Sequence, residues 1–200
     1  MNSVLAFPIL TFDVTKLNPS FGYVFDARWL DPYESVVSIL WKFVWMNGLA
    51  GHEVVERIAS HTVDPYDGIE ATPEDINRQY LAHVLRIRRQ TVREAIPVQS
   101  SLRPFNSELR FCSWCMSRGY HSVLHQFGLM LTCPIHARPL ESRCRHCGQT
   151  SSYRIDAQLL DAPFRCPHCR VPYSASWTWF AKRGALGQRE RMALIRAYIG

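Results

Sequence analysis

The sequence lacks the features that mark membrane proteins and the common enzyme classes. No run approaches the roughly 20 consecutive apolar residues that cross a bilayer. Residues 1–11 have neither a basic start nor a small-residue cleavage site, so we expect no signal peptide. There is no Gly-rich phosphate loop, no nucleophile elbow and no carboxylate pair suited to acid–base catalysis. We therefore expect a non-enzymatic, cytoplasmic protein with no membrane partner.

Cysteine is missing from residues 1–111 and 170–200, because all 7 cysteines lie in one central stretch. They form three Cys-x-x-Cys pairs and one Cys-x-x-His pair. An odd count leaves one cysteine over in a disulfide framework, whereas His136 supplies an eighth ligand to a metal. Eight sulfur and nitrogen ligands make two tetrahedral sets, which predicts two structural Zn²⁺ ions. The predicted ligands are Cys112, Cys115, Cys133, His136, Cys144, Cys147, Cys166 and Cys169.

The spacing of the four ligand pairs favours sequential pairing, in which the first pair joins the second and the third joins the fourth. The gaps within these sets hold 17 and 18 residues, enough for a hairpin that returns to the same metal. The rival is the cross-brace of a RING finger, which joins alternate pairs. A RING usually leaves two or three residues between its His and the next Cys, but 7 separate His136 from Cys144. Both sets are closed by protein, which indicates structural rather than catalytic metals.

Several other histidines and acids could suggest a metal or catalytic site, but the sequence does not supply the further residues that such a site needs. A metal site needs a third ligand, and a two-metal nuclease needs more acids than one loop supplies. We interpret Asp64, Asp67 and Glu70 as a capping loop and the others as ordinary core or surface groups. The full set is His52, Glu53, Asp64, Asp67, Glu70, His121, His125, His146 and His168.

A predicted helix that opens at Asp31-Pro32 contains the most apolar segment of the sequence, residues 35–46. Asp31 can cap its start, Pro32 suits its first turn, and Asn47-Gly48 suits its end. Only Lys42 interrupts the apolar run, so the helix must be buried on more than one side, by its own domain or by a partner. On the second interpretation, Trp41 and Trp45 anchor a partner or dimer surface.

Two further helices are predicted before the cysteines. Residues 51–60 follow a tight turn, which fits a helix-turn-helix pair or any other αα-hairpin. A longer helix starts at Thr72 and stops before Pro97. Four of its arginines lie at helical spacing and form either a phosphate-facing stripe or a solvated basic face. They are Arg78, Arg86, Arg89 and Arg93.

The overall prediction is a mainly α protein with a small zinc-stabilised α+β region. We expect an extended arm at 1–31, a helix-turn-helix-like domain at 32–97 and a linker at 98–107. Two consecutive zinc fingers at 108–175 and a C-terminal helix within 176–200 follow. The formal charge of +6 falls to about +3 once seven thiolates bind two Zn²⁺. This basic excess allows nucleic-acid contact without requiring it.

Two stretches of the sequence resemble the TniQ family of transposition target-selection proteins. The first runs from Pro32-Tyr-Glu-Ser to Asn47-Gly-Leu. The second contains Cys112-x-x-Cys, Gly119-Tyr-His, Cys133-Pro-x-His-x-x-Pro-Leu and Cys144-x-x-Cys-Gly. Three positions depart from the family pattern, at Ala137, Arg145 and His125. Members usually continue with a further helical domain, so the resemblance implies a short form.

The resemblance implies a non-catalytic adaptor of bacterial DNA transposition. Such proteins link target-site recognition to the transposition machinery, typically an AAA+ ATPase and a transposase. Some relatives read DNA, and others dock on a CRISPR surveillance complex as dimers. Two alternatives remain open from the residues themselves. One is a stand-alone zinc-ribbon and helix-turn-helix regulator that binds DNA, and the other is a RING-like ubiquitin-ligase module.

Overall fold

The computed structural model describes residues 22–96, 104–175 and 186–199. Within these ranges the chain is mostly helical with a two-stranded sheet. The elements are α1 Val36–Asn47, α2 Gly51–Ile58, β1 Ile69–Glu70, α3 Arg78–Leu85, α4 Arg89–Ala95, α5 Ser113–Met116, β2 Arg154–Ile155, α6 Ala157–Leu160 and α7 Gln188–Ile199. None of the helices in the described ranges is long and apolar enough to cross a membrane.

Helix α1 begins and ends with capping residues. The Ser35 side chain accepts a hydrogen bond from the backbone N–H of Ser38, which satisfies a donor in the first turn. The helix ends at Gly48, whose φ of 60° lies in the left-handed region that glycine adopts without strain. The predicted start at Asp31-Pro32 is wrong, because Ser35 rather than Asp31 is the N-cap and α1 begins at Val36. The predicted end at Asn47-Gly48 is confirmed.

The chain's own elements bury α1 from Val36 to Val44 on every side, which explains the apolar circumference of this part of the helix. The indole N–H of Trp41 donates to the carbonyl of Leu159 in α6 at 2.7 Å, and its ring packs on Phe164 with centroids 4.9 Å apart. Tyr23, from the segment before α1, packs edge-on against Phe43 at 4.9 Å. The prediction that Trp41 anchors a partner is therefore wrong, because its side chain is fully buried in the chain's own core.

Lys42 is buried in α1, where the carboxylate of Glu34 balances its positive charge. Its Nζ lies 2.6 Å from Oε1 of Glu34 and donates to the carbonyl of Trp29 at 2.8 Å. Both charged side chains are almost wholly inaccessible to solvent. Burial raises the pKa of Glu34, and the Lys42 cation opposes that rise.

Helix α2 lacks a side-chain cap of its own and takes one from far along the chain. Asp161, which follows α6, accepts from the backbone N–H of Gly51 at 2.6 Å. A Cβ at position 51 would lie 2.5 Å from the carbonyl oxygen of Ala157. Gly51 therefore allows α2 to approach α6 more closely than any other residue would.

The predicted continuous helix over 72–96 is wrong, because two helices replace it. The segment before α3 pairs with the end of α2, where Asn77 N–H donates to the Ile58 carbonyl at 2.7 Å. Asn77 then caps α3. Arg86 adopts a left-handed conformation with φ 53°, and α4 starts three residues later. Ile76 and Ile87 are buried, although both would lie off the apolar stripe of one continuous helix.

Most of the described chain shares one hydrophobic core. It contains residues of α1 to α4 together with residues of the cysteine-rich half, which is the range 104–175. The latter include Phe111, Cys144, Ile155, Phe164 and Tyr173. β1 and β2 join the two halves as an antiparallel pair, with Ile69 opposite Ile155. The predicted boundary between a helical and a zinc-finger domain stays a prediction, and the structure packs the two halves against each other.

A smaller second core lies between α7 and the first cysteine cluster. It contains Cys112, Cys115, Tyr120, Val123, Leu124, Cys133, Leu186 and Leu194. The predicted C-terminal helix is thus present as α7 and rests on the cysteine-rich half. The predicted arm and linker lie partly outside the described residues, at 1–21 and 97–103.

Candidate metal centres

The first candidate metal centre combines a short helix with a tight hairpin. Cys112 is the N-cap of α5 and Cys115 lies within it. Cys133 and His136 lie on a hairpin in which the Cys133 N–H donates to the carbonyl of Arg138 at 2.7 Å. The four ligand atoms lie within 4.8 Å of one another.

The distances in this first cluster fit a tetrahedral metal. Metal–sulfur bonds of about 2.3 Å and metal–nitrogen bonds of about 2.05 Å give S–S edges of roughly 3.8 Å and S–N edges of roughly 3.6 Å. The Cys115 and Cys133 sulfurs are 3.7 Å apart. Nδ1 of His136 lies 3.5, 3.4 and 3.6 Å from the sulfurs of Cys112, Cys115 and Cys133. The His136 ring therefore presents Nδ1 to the cluster.

The second candidate centre is built from two hairpins. Cys144 and Cys169 have sulfurs 3.7 Å apart, and so do Cys147 and Cys166. All four sulfurs again lie within 4.8 Å of one another. The first ligand pair is thus grouped with the second and the third with the fourth. The crossed grouping of a RING finger is not the one that the structure has.

Three of the four ligand pairs share one hairpin geometry. In each, the residue after the second ligand donates its N–H to the carbonyl of the first ligand at 2.8 Å. These residues are Ala137, Gly148 and Arg170, and all have positive φ, at 49°, 72° and 61°. The hairpin therefore needs a left-handed residue at this place. Ala137 stands where the TniQ pattern usually has glycine. The turn still forms, but alanine is strained at this positive φ.

The first cluster attracts positive charge. Hydrogen bonding to the sulfurs of Cys112 and Cys133 raises the pKa of His136 to about 9, although partial burial acts in the opposite direction. A cation is thus stabilised where three sulfurs converge. A divalent metal would carry more positive charge than a proton and would replace the proton on Nδ1 if it bound there.

A buried polar network joins the first cysteine-rich segment to the N-terminal end of α1. Ser35 Oγ lies 2.7 Å from Nδ1 of His121, and the Ser35 N–H donates to the His121 carbonyl at 2.8 Å. Nε2 of His121 lies 2.8 Å from the carbonyl of Arg110. The Tyr120 hydroxyl donates to the carbonyl of Pro32 at 2.8 Å. His121 is therefore a structural histidine rather than a metal ligand.

His125 lies beside His121, with ring centroids 5.1 Å apart, and is also fully buried. Neither of its ring nitrogens has a hydrogen-bond partner among the described residues. Desolvation lowers the pKa of His125 well below its usual value, so the ring is neutral. The interpretation of both histidines as non-ligands agrees with these surroundings.

The four arginines of the predicted stripe do not share one helix face. Arg78 starts α3, Arg86 follows its end, and Arg89 and Arg93 belong to α4. All four side chains are exposed. The single stripe is wrong because the helix breaks at Arg86, but the turn and the start of α4 bring positively charged residues together.

Of the two predicted partner anchors, one reaches the surface. Trp45 is 44% exposed, whereas Trp41 is fully buried. Trp45 lies in the last turn of α1. Val24 reaches the same end of the helix, where its N–H donates to the Asn47 side chain at 2.8 Å. Val24 is itself 42% exposed.

Comparison of the sequence with protein-family models and with curated proteins finds no match. Membership of the TniQ family therefore stays a prediction from the motifs quoted above.

Sequence reasoning missed residues that surround the first cluster. Glu190 and Arg118 form an ion pair with atoms 2.5 Å apart, and Glu190 also lies near His136. The pairing of Ser35 with His121 was missed as well. No local pattern reveals these contacts, because they join residues 54 to 86 positions apart.

Proposed function

We propose that each cluster binds one structural Zn²⁺ ion. The proposal is supported by ligand distances that match the edges of a tetrahedral S₃N and an S₄ site. Soft thiolates and one imidazole are the ligand set that Zn²⁺ prefers in closed sites. With four protein ligands each, the sites keep no position for a substrate or a reactive water, which supports a non-catalytic role.

The zinc proposal is tested by metal analysis of the full chain, purified anaerobically under reducing conditions. We expect two zinc ions per chain, and one each for Cys115→Ser and Cys147→Ser. The matched control is His146→Ala, which removes an exposed histidine inside a ligand pair and should retain two ions. A folded wild-type chain with fewer than two metal ions, or with iron in the clusters, would contradict the proposal.

We further propose that the chain is a TniQ-like adaptor in DNA transposition. One observation carries this proposal: the two stretches that resemble the family meet in space as one unit. Glu34 and Ser35 of the first stretch contact His121 and Ser122 of the second through a β-bridge and the Ser35–His121 hydrogen bonds. Motifs that form one interface are more specific than two motifs matched independently along a sequence.

The exposed residues of α1 and α2 favour contact with a protein partner over direct recognition of DNA by α2. In a helix-turn-helix formed by α1 and α2, α2 would face the DNA. Its exposed residues are Glu53, Glu56 and Arg57, so carboxylates, which repel phosphates, outnumber the one guanidinium. Trp45 and Val24 offer exposed apolar area at the end of α1, which fits a protein contact.

Affinity capture from the native host tests the adaptor role. The tagged full chain should recover an AAA+ ATPase or a transposase, identified by mass spectrometry. Trp45→Glu should lose this partner, whereas Tyr66→Glu, which changes another exposed aromatic residue, should keep it. Recovery of neither protein, together with binding of a specific DNA by the isolated chain, would contradict the adaptor role.

The α3–α4 pair favours a second candidate function, a DNA-binding regulator. A three-residue turn joins these helices, and Arg86, Arg88, Arg89 and Arg93 are exposed at the turn and along α4. Neutralised phosphates make binding steeply salt-dependent. For this function, Arg89→Ala with Arg93→Ala should lower the slope of log affinity against log salt by about 1–2. Arg189→Ala with Arg196→Ala, on α7, should leave the slope unchanged.

A further inference from the structure

Helix α7 covers the first metal centre. Leu186, just before the helix, and Leu194 within it are buried in the core that contains three of the four ligands. Tyr198 stacks on Tyr33 with ring centroids 4.3 Å apart. Arg191 pairs with the buried Asp31 at 2.6 Å. α7 is thus held against the cluster by both apolar and charged contacts.

The ligand His136 has one nitrogen that the cluster does not use. Nδ1 faces the three sulfurs, while Nε2 points away from them. Nε2 is buried and has no hydrogen-bond partner among the described residues. Oε1 of Glu190, in the first turn of α7, lies 3.9 Å from it. A buried N–H without a partner costs free energy, and a neighbouring carboxylate removes this cost if it accepts a hydrogen bond from the N–H.

Two other contacts hold the Glu190 carboxylate near His136. Arg118, which follows α5, donates from Nη1 to Oε1 at 2.5 Å. The backbone N–H of Gly187 donates to Oε2 at 2.7 Å, which caps the start of α7. One carboxylate oxygen therefore belongs to the helix cap, and the other faces the side of the cluster that carries His136.

We propose that Glu190 is the positioning residue for the ligand His136, and that it couples the docking of α7 to metal retention at the first centre. A metal on Nδ1 leaves the ring proton on Nε2, where a carboxylate can accept it. That hydrogen bond fixes the ring orientation and makes Nδ1 a stronger ligand. The 3.9 Å separation exceeds a hydrogen bond by about 1 Å, which a small rotation of Glu190 or one bridging water closes.

The coupling acts in both directions, because linkage between two equilibria is reciprocal. A metal that strengthens the His136–Glu190 contact also strengthens the docking of α7. A change that lifts α7 from the cluster weakens metal binding. This inference rests on zinc binding at the first cluster and does not depend on the transposition role.

The test compares metal release from the full-length variant Glu190→Gln with release from the wild type. The glutamine oxygen can keep the Gly187 cap, while its NH₂ group faces His136 and cannot accept the Nε2 proton. Chelator-driven release from the first centre should become about tenfold faster, in line with the loss of an outer partner of a ligating histidine. Release from the second centre should not change, and the ¹¹³Cd resonances of Cd²⁺-substituted protein assign each phase to its centre.

A spectroscopic signal separates positioning from simple docking. In the wild type, long-range ¹H–¹⁵N spectra should show His136 metal-bound at Nδ1, with a slowly exchanging proton on Nε2. In Glu190→Gln this proton should exchange faster. Arg118→Met removes the other partner of Oε1 but leaves the acceptor in place, so its His136 proton signal should persist. Arg189→Gln, an exposed change one residue away, should match the wild type.

Different outcomes contradict different proposals. A wild-type chain that lacks metal at the first cluster contradicts zinc binding itself. A wild-type chain with both metals, but with the same release rate and the same His136 proton signal in Glu190→Gln, overturns the positioning role. Equal effects of Arg118→Met and Glu190→Gln on release, with an unchanged His136 proton in both, would reduce Glu190 to a docking contact and also overturn it.

Discussion

Ser35 Oγ lies 2.7 Å from Nδ1 of His121, and this contact joins positions 86 residues apart. The carbonyl of Arg110 can only accept, so Nε2 of His121 donates to it and Nδ1 accepts from the Ser35 hydroxyl. The same hydroxyl oxygen accepts from the Ser38 N–H as the N-cap of α1. One side chain therefore starts the central helix and attaches it to the cysteine-rich half.

The first prediction concerns this contact. Ser35→Ala should lower the free energy of unfolding by about 2–4 kcal/mol, because it removes a helix cap and leaves Nδ1 of His121 buried without a donor. Asn77→Ala is the matched control, since Asn77 caps the exposed start of α3 and should cost only about 1 kcal/mol. Urea denaturation measures both. Equal losses would mean that Ser35 acts only as a cap.

The second prediction concerns the buried ion pair of Glu34 and Lys42. Lys42→Met should destabilise the chain by about 3–5 kcal/mol, because it leaves the Glu34 carboxylate buried without its cation. The double variant Glu34→Gln with Lys42→Met should recover much of this loss, since it buries no net charge. Denaturation at pH 7 gives the coupling energy of the double-mutant cycle. An additive double variant would show that the two groups do not interact.

The third prediction concerns the left-handed residue of the hairpins. Ala137→Gly and Arg170→Gly should each stabilise the chain by up to about 1 kcal/mol, because glycine adopts positive φ without steric cost. Gly148→Ala should destabilise by a similar amount, although a Cβ there meets no atom within 4 Å. Ala82→Gly, inside α3, is the control and should be destabilising, because glycine at a helical position loses more conformational freedom than alanine. Thermal unfolding of the zinc-loaded chain checks all four variants.

The fourth prediction concerns His125 and acid stability. His125→Leu should stabilise the chain at pH 7 by about 1–3 kcal/mol, because it removes two buried nitrogens that have no hydrogen-bond partner within residues 22–96, 104–175 and 186–199. The exposed His83→Leu is the control, with an expected change within about 0.5 kcal/mol. A destabilised His125→Leu would indicate a partner for this ring.

The pH dependence of the same variant follows from the pKa shifts. Burial lowers the pKa of His121 to about 4 and that of His125 well below its usual value. A histidine in the unfolded chain has a pKa of about 6.5. Below that pH the unfolded chain binds protons at these two positions, whereas the folded chain does not. Stability therefore falls as the pH drops from about 6.5 towards 4, and His125→Leu should show a shallower fall than the wild type. Parallel curves would contradict this assignment.

Local sequence signals predicted the parts of the fold that depend on nearest neighbours. The end of α1 at Asn47-Gly48 and the position of α7 follow from capping and apolar periodicity, whereas the start of α1 was expected at Asp31-Pro32 and lies at Val36. The continuous helix over 72–96 failed because propensity favours helix at Ile76 and Ile87, while burial of both side chains requires the chain to turn. Trp41 was misjudged for a related reason, since an all-round apolar helix has the same sequence whether its own chain or a partner covers it.

The sequence alone determined the eight candidate ligands in their four pairs, because Cys-x-x-Cys and Cys-x-x-His spacing is a local property. The tertiary structure decided which pairs share a site, since it groups the first pair with the second and the third with the fourth. Only the tertiary structure decided what surrounds them. Ser35 with His121, Asp161 with Gly51, and Glu190 with His136 are contacts between distant segments, and no periodicity encodes them. They form because a hydrogen-bond partner stabilises a buried polar group, and which groups come within reach depends on how the whole chain packs.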